Sequence, residues 1–363
     1  MLPDSDPLAD ADALIAEGRA DEAVRRLAAR LDAGRGGLLL RLTLVRARLA
    51  TGDNTGALAD AREIALSHPQ AAAAAVCLGE ALLANGQLPT AIGEFQRALR
   101  LDPDFMQSRY LLGCAWLEAG EAEKALEAFR AIEDKTALNT VEKVAEAEAM
   151  QKQQRSDPRY VRHLFDQFST DYDVRMLGQL SYSAPAILRD LASMLGLTPP
   201  HRYKILDLGC GTGLSGQAFM DVAARLDGVD LSPAMIEKAR ERGIYDSLQV
   251  GDIELVLASE GLPYDFILAA DTLVYLGDLH AILTHAVPRL KPGGLFLFTV
   301  EKCGGAGFEL GPKRRWRHSE TYIRAESSAA GLDVAGLLAC SPRSEAGIPV
   351  EGLAVALQRP DKD

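Results

Sequence analysis

The sequence predicts a seven-stranded, doubly wound α/β sheet preceded by an all-α array of helix pairs, and three observations carry that expectation. Glycines recur every 34 residues through the first part of the chain, at 18, 52, 86 and 120. From Tyr203 onward, short apolar segments alternate with helical stretches, the signature of a parallel sheet with covering helices. The first of those segments runs into a glycine-rich turn, ILDLGCGTG at 205–213, and acidic residues close the strands that follow. At 363 residues the chain is long enough for about two cores of roughly 150 residues each.

Each glycine of the repeat is followed five residues later by an alanine, at 23, 57, 91 and 125. The third unit adds Leu78-Gly79, Phe95, Ala98 and Pro103, and the fourth repeats Leu112-Gly113, Trp116 and Phe129. Small residues let paired helices approach and the glycine turns the chain between them. These residues resemble the tetratricopeptide repeat, with units near 4–37, 38–71, 72–105 and 106–139. Ala11 and Val45 stand where the first two units would carry the glycine of the Leu-Gly pair, and Arg48 stands where an aromatic is common. Residues 1–139 are thus expected to be the repeat domain and 140–158 a helical cap or linker, broken at Asp157-Pro158. Arg46, Glu80 and Tyr110 are candidates for a groove that holds a peptide or partner protein; the alternative is a packing or dimerisation module.

Strands are expected at 204–208, 225–230, 247–250, 265–270, 295–300, 333–340 and 352–358 within a domain spanning 159–363. Glycines at 209, 211 and 213 permit positive φ and close backbone approach by a ligand. A nicotinamide dinucleotide fingerprint would place its third glycine where Leu214 stands. Asp207 inside the motif suits a cationic amino group better than a pyrophosphate, which favours S-adenosylmethionine. Asp230, ending GVDLS, offers two carboxylate oxygens to two ribose hydroxyls, and Ser232-Pro233 reads as a helix start. Met235 would lie on the adenine, Asp252 would accept its amino group, and Ile253 would pack on the ring. A dehydrogenase and a non-catalytic scaffold that keeps the cofactor as a structural ligand are the rivals.

ILDLGCGTG, GVDLS, GDIE, YDFILAADTLVYLGDL and LKPGG together resemble a class I S-adenosylmethionine-dependent methyltransferase of Rossmann-like fold, over about 155–360. With the leading repeats, the chain resembles a bacterial group of tetratricopeptide-repeat methyltransferases. The resemblance implies S-adenosylmethionine as cofactor, with Asp207, Gly209, Gly211, Asp230 and Asp252 as the matching contacts; Cys210, Thr212, Gly213, Leu231, Met235, Ile253 and Asp271 are further candidates. The Cys210 thiol is expected to fill a small buried space. The activity expected is methyl transfer to an N or O acceptor on a small molecule or peptide, with the repeats recruiting the substrate or a partner protein; the resemblance further implies that residues 159–200 fold over the cofactor as lid helices.

Candidates at the acceptor are less sharply marked. Ala270-Asp271-Thr272-Leu273 replaces the N/D-P-P-Y/F tetrapeptide that would suggest amide or nucleobase nitrogen. Asp271 and Tyr275 belong at the carboxyl end of the fourth strand, where Asp271 either orients an amine or places a charge at a helix start. Lys313, Arg314, Arg315 and Arg317 surround Trp316; Arg315 and Arg317 either grip an anionic substrate or lie in a solvated loop. His318 is the candidate base near neutral pH, or a structural donor. Tyr172 and Tyr182 either face the pocket or pack the lid.

Composition bounds the partners. Lys plus Arg number 39 against 51 Asp plus Glu, a formal net charge of −12 that repels nucleic acid and anionic membranes. The acidic start MLPDSDPLAD and the absence of long apolar runs suggest a cytoplasmic protein. Five cysteines without C-x-x-C or Cys/His spacing predict neither a disulfide framework nor a metal site.

Overall fold

The computed structural model describes residues 6–133, 137–197, 202–311 and 313–361. The chain divides into two units, 1–152 and 153–363, each with its own cores. Residues 134–136 of the expected fourth repeat and 198–200 of the expected lid lie outside the described residues.

The first unit is helical throughout its described residues apart from short turns. Four helix pairs follow one another: Pro7–Ala16 with Ala20–Asp32, Leu38–Thr51 with Asn54–Ser67, Ala72–Ala84 with Leu88–Leu101, and Met106–Glu118 with Ala122–Arg130. Thr140–Gln151 adds a final helix. The 34-residue glycine register has a direct backbone cause. Gly18, Gly52, Gly86 and Gly120 all turn the chain with φ between 70° and 81°, where a side chain would be strained.

The Leu-Gly pairs have a packing cause. A Cβ on Gly79 would stand 2.5 Å from the Phe95 ring, and one on Gly113 would strike the Phe129 ring. In the two earlier units the exchange runs the other way. Val45 replaces glycine where Ala61 replaces phenylalanine, and Ala11 stands at the position equivalent to glycine with Leu27 at that of the ring; all four are buried. Arg48, in the aromatic position, pairs with Asp53 and Asp60, each at 2.9 Å. Arg46 and Glu80 line a groove floored by Leu42, Leu49 and Val76. Tyr110 does not join them, because its ring packs on Phe129 at 5.9 Å between centroids.

The second unit is built on one sheet. Its strands are β1 (Tyr203–Leu208), β2 (Ala223–Asp230), β3 (Ser247–Val250), β4 (Tyr264–Ala269), β5 (Leu290–Lys302), β6 (Phe308–Leu310), β7 (Trp316–His318), β8 (Asp333–Cys340), the short pair β9 (Ser344–Glu345) and β10 (Ile348–Pro349), and β11 (Gly352–Gln358). The main path runs β3-β2-β1-β4-β5-β11-β8. β3 through β5 pair parallel, and β11 runs antiparallel to both β5 and β8. All seven expected strands are present, in a Rossmann-like α/β architecture with helices on both faces. Phe296, Phe298, Val355 and Leu357 feed one core while Leu295, Leu297, Ala354 and Ala356 feed the other. Burial on both faces is why these strands read as unbroken apolar runs.

The basic segment expected as a loop is partly strand. β6 and β7 form a hairpin whose second strand lies parallel to the end of β5, opposing Glu301 to Arg317 and Lys302 to His318. Phe308 faces Trp316 and His318 on one side of that hairpin, with ring centroids 5.6 and 6.2 Å apart. Among the described residues no helix is long and apolar enough to cross a membrane, and no group of three or more His, Cys, Asp or Glu residues could hold a metal ion.

Candidate functional site

Strand order reverses between β1 and β4, and a crevice opens beyond the carboxyl ends there, where α/β sheets bind ligands. Gly209 and Gly211 line its floor, Asp230, Leu231 and Ile253 one side, and Ala270, Asp271, Thr272 and Tyr275 the other. The turn after β1 is held to β2 by the Cys210 N–H on the Val229 carbonyl at 2.9 Å. Gly209 adopts φ 67°, and a Cβ there would strike Thr272. Gly211 adopts φ 55° with open space where its Cβ would be. That glycine presents bare backbone to the pocket.

Asp230 is the best-built acidic group. Its Oδ1 accepts the Ser232 N–H at 2.8 Å and its Oδ2 the Gly211 N–H at 2.9 Å. Each oxygen keeps a lone pair, so two vicinal hydroxyls find two acceptors. Burial pushes the carboxyl up to about 6, against the two backbone donors that favour its ionised form. Ser232 then caps the helix Pro233–Arg242 by accepting the Met235 N–H at 3.0 Å.

Asp207 lies fully buried beneath the turn. The Tyr245 hydroxyl donates to its Oδ2 at 2.7 Å, while Oδ1 finds no partner among the described residues. Burial raises this carboxyl to about 7. Asp207 does not itself line the crevice; it lies behind the glycine turn that does. There an orphaned, buried carboxylate oxygen is costly unless a group entering past those glycines completes it. A glycine cradle with Asp230 at its edge and this carboxylate behind it suits a nucleoside carrying an ammonium group. On donor chemistry the residues present fit S-adenosylmethionine.

Other cofactor candidates are placed differently from expectation. Met235 is fully buried and does not line the crevice; Leu231 of the same turn does. Cys210 packs on Ile236 and Ala239 with its thiol raised by burial, as filler. Thr212 turns its hydroxyl to Asp173 at 2.5 Å, and Gly213, at φ 97°, starts the helix Leu214–Phe219. Asp252 does not line the pocket. Its Oδ1 accepts the Glu254 N–H at 2.9 Å and its Oδ2 accepts Arg155 at 2.6 Å.

Arg155 and Ser156 line the crevice without having been singled out in the sequence. Their segment pairs with the rim: Ser156 N–H donates to the Tyr275 carbonyl at 2.8 Å, and the Gln154 carbonyl accepts from Gly277 and Asp278 at 2.8 and 3.1 Å. The helix Pro158–Phe168, capped by Asp157, adds Val161 and Phe165 to the lining. Its Asp166 accepts the Ser232 hydroxyl at 2.6 Å.

Tyr172 faces the crevice in an aromatic cluster, its ring 6.1 Å from Phe165, which lies 5.7 Å from Tyr275. Burial pushes the Tyr172 phenol up, so it keeps its proton and stands as a neutral wall of the crevice. Tyr182 does not line the crevice; its hydroxyl donates to the Ala270 carbonyl at 3.3 Å. Asp271 lines it from a left-handed backbone position, φ 57°, with its N–H on Thr299 Oγ1 at 2.8 Å. Such conformations cluster at functional sites.

Behind Asp271 lies an ion network that local sequence patterns do not reveal. Arg343, with its side chain 0% exposed, bridges Asp271 and Glu301 and stands 3.3 Å from Glu345. Arg315 reaches Glu345 at 2.5 Å and Arg317 lies 3.5 Å from Glu301. The two arginines expected to grip a substrate anion thus carry their charge to the chain's own carboxylates, and neither lines the crevice.

His318 is no base for this site. It is fully buried on β7, away from the crevice lining, and its Nε2 donates to the Gly277 carbonyl at 2.9 Å. Burial lowers it to about 4. A histidine neutral when folded and titrating near 6.5 when unfolded makes the unfolded state the better proton acceptor between those values, so stability falls as pH drops from about 6.5 toward 4. We expect roughly 2 to 3 kcal/mol of unfolding free energy to be lost over that range. The His318→Gln variant, which keeps a donor for Gly277, should lose measurably less in denaturant titrations at pH 7 and 4.5.

Residues 206–296 match the family model described as a methyltransferase domain, and residues 42–104 and 78–139 match a tetratricopeptide repeat model. The chain is 34% identical over 149 residues to a ubiquinone biosynthesis O-methyltransferase of Xylella fastidiosa, covering 37% of this chain and 60% of that one. It is 34% identical over 144 residues to the human methyltransferase-like protein 27, covering 38% and 56%. A malonyl-[acyl-carrier protein] O-methyltransferase of Serratia marcescens is 31% identical over 148 residues, covering 40% and 57%. The chain therefore spans under two thirds of the length of these relatives.

Proposed function

We propose that this chain, which joins tetratricopeptide repeats to a methyltransferase domain, transfers the methyl group of S-adenosylmethionine to an N or O acceptor on a small molecule or peptide, and that the repeats recruit the acceptor or a protein that carries it. The observation that carries the reading is Asp230, whose two oxygens are fixed by backbone donors at the edge of a glycine-floored crevice. Gly209 and Gly211 would admit the cofactor, Asp230 would hold its ribose, Leu231 and Ile253 would flank its base, and Asp207 would answer its ammonium. When bound, that cofactor supplies an electrophilic methyl on a sulfonium.

The protein's own work is then alignment. Orientation of two reactants can contribute roughly 7 to 11 kcal/mol to a displacement. Asp271 lines the crevice at the end of β4 and would orient the acceptor's N–H or O–H, while Tyr172, Phe165 and Tyr275 wall the site against water. Glu80 and the Arg46–Asp12 ion pair line the repeat groove and would be the polar groups a recruited segment meets there.

Labelled-methyl transfer into a fractionated lysate tests this reading. The wild type should label an acceptor, and Gly211→Arg should not, because the new side chain enters the crevice from a strained backbone position. Cofactor binding by calorimetry without any labelled acceptor would favour the scaffold reading instead. Removal of the repeats that leaves acceptor choice and KM unchanged would end the recruitment proposal.

A further inference from the structure

Tyr245 lies outside every motif of the sequence, yet three glycines are spent on making room for it. A Cβ on Gly213 would stand 3.0 Å from its ring, one on Gly216 2.6 Å from its Cζ, and one on Gly228 2.9 Å from its Cε1. Those glycines come from the turn after β1, the helix Leu214–Phe219 and β2. Their slot aims the phenol at one atom, Asp207 Oδ2, at 2.7 Å. The other oxygen of that buried carboxylate has no partner among the described residues.

We propose that Tyr245 is a positioning residue for the cofactor's amino-acid end: its hydroxyl orients Asp207 and stabilises that carboxylate's charge, leaving the free oxygen to receive a cationic amino group. This inference rests on the function proposed above and deepens it. A tyrosine hydroxyl donating to a carboxylate favours the ionised form over the protonated one. Burial keeps the Tyr245 phenol itself protonated, so it acts only as donor.

The charge of Asp207 is balanced near neutrality. Burial raises it to about 7, and the Tyr245 hydroxyl and the Gly216 N–H work against that rise. The other titratable groups facing it are Asp230 at the end of β2, Cys210 in the turn and Tyr182 ahead of the helix Ala184–Met194. Cys210 and Tyr182 are themselves pushed well up by burial and stay neutral. Asp230 titrates near 6 and would act on ribose binding, so the test must separate the two carboxylates.

Two probes do so. S-Adenosylhomocysteine carries the ammonium, whereas 5′-methylthioadenosine keeps the nucleoside and lacks the amino-acid end. Calorimetric Kd values for both, from pH 5.5 to 8, should show a step near pH 7 for the first ligand alone, with affinity rising as Asp207 ionises. Tyr245→Phe keeps the ring in its slot and removes only the donor. It should move that step upward by about one pH unit and weaken S-adenosylhomocysteine roughly tenfold at pH 6.5, with the 5′-methylthioadenosine curve unchanged. In an Asp207→Asn background the same substitution should add nothing. If Tyr245→Phe shifts both ligands, shifts neither, or weakens the first equally at every pH, the assignment is wrong. Failure of the wild type to bind either probe would instead remove the cofactor reading beneath it.

Discussion

Arg343→Met should destabilise the second unit by about 3 to 5 kcal/mol, the cost of removing one member of a buried ion network. The guanidinium is fully buried and serves three carboxylates, those of Asp271, Glu301 and Glu345. Methionine fills similar length but leaves Asp271 and Glu301, whose side chains are 11% and 7% exposed, with one cation fewer between them. Lysine would not rescue the site well, because a point charge cannot address partners arranged around a planar fork. The loss has a pH signature. Burial already raises the Asp271 carboxyl, and Arg343 is the largest influence holding it down. Without Arg343 the folded-state value climbs further above the unfolded one. The folded variant then binds more protons than the unfolded chain, so its stability falls as pH rises. The gap between wild type and variant in chemical denaturation should therefore be wide at pH 8 and narrow toward pH 4.5. A gap below about 1 kcal/mol, or one independent of pH, would show that the network contributes packing alone.

That network also shows where reading the sequence stops. The seven strands and the repeat register were legible because their causes are local: apolar runs buried on both faces, and one glycine per unit in a left-handed turn. Asp230 was legible for the same reason, since Ser232 and Pro233 mark the helix it precedes. Arg343, Arg155 and Tyr245 act on carboxylates 72, 97 and 38 residues away in the chain, Asp271, Asp252 and Asp207. Nothing beside them in the sequence announces those partners. Arg315 and Arg317 misled for a related reason. Their charge invites an anion, and only the fold reveals that Glu345 and Glu301 already supply it. One signal was available: Trp316 and His318 alternate with Arg315 and Arg317, the period of a strand. Met235 misled because a helix-start residue near a nucleoside site has two faces, and this one turns inward.

The repeats permit a prediction in which a pair of substitutions costs less than its members taken separately. Phe95→Ala should cost about 3 to 5 kcal/mol by emptying a fully buried ring site. Gly79→Val should cost roughly 1 to 3 kcal/mol, because its Cβ meets that ring at 2.5 Å, with part of the loss offset by better helix propensity. Combined, the two changes reproduce the pairing that the second unit already uses, Val45 with Ala61, both buried in one core. The valine methyls then occupy space the ring has left. The double variant should lose less than the sum of the two single losses, with a coupling of about 2 kcal/mol between neighbours sharing one cavity. Trp116 lies within the repeats and Trp316 on β7, so a Trp316→Phe background lets fluorescence follow repeat unfolding in the intact chain. Strict additivity of the two losses would mean that the helices re-space rather than exchange volume. The recovery expected here follows from an array in which each interface is fixed by its nearest neighbours, so a size swap across one helix pair is settled within that pair.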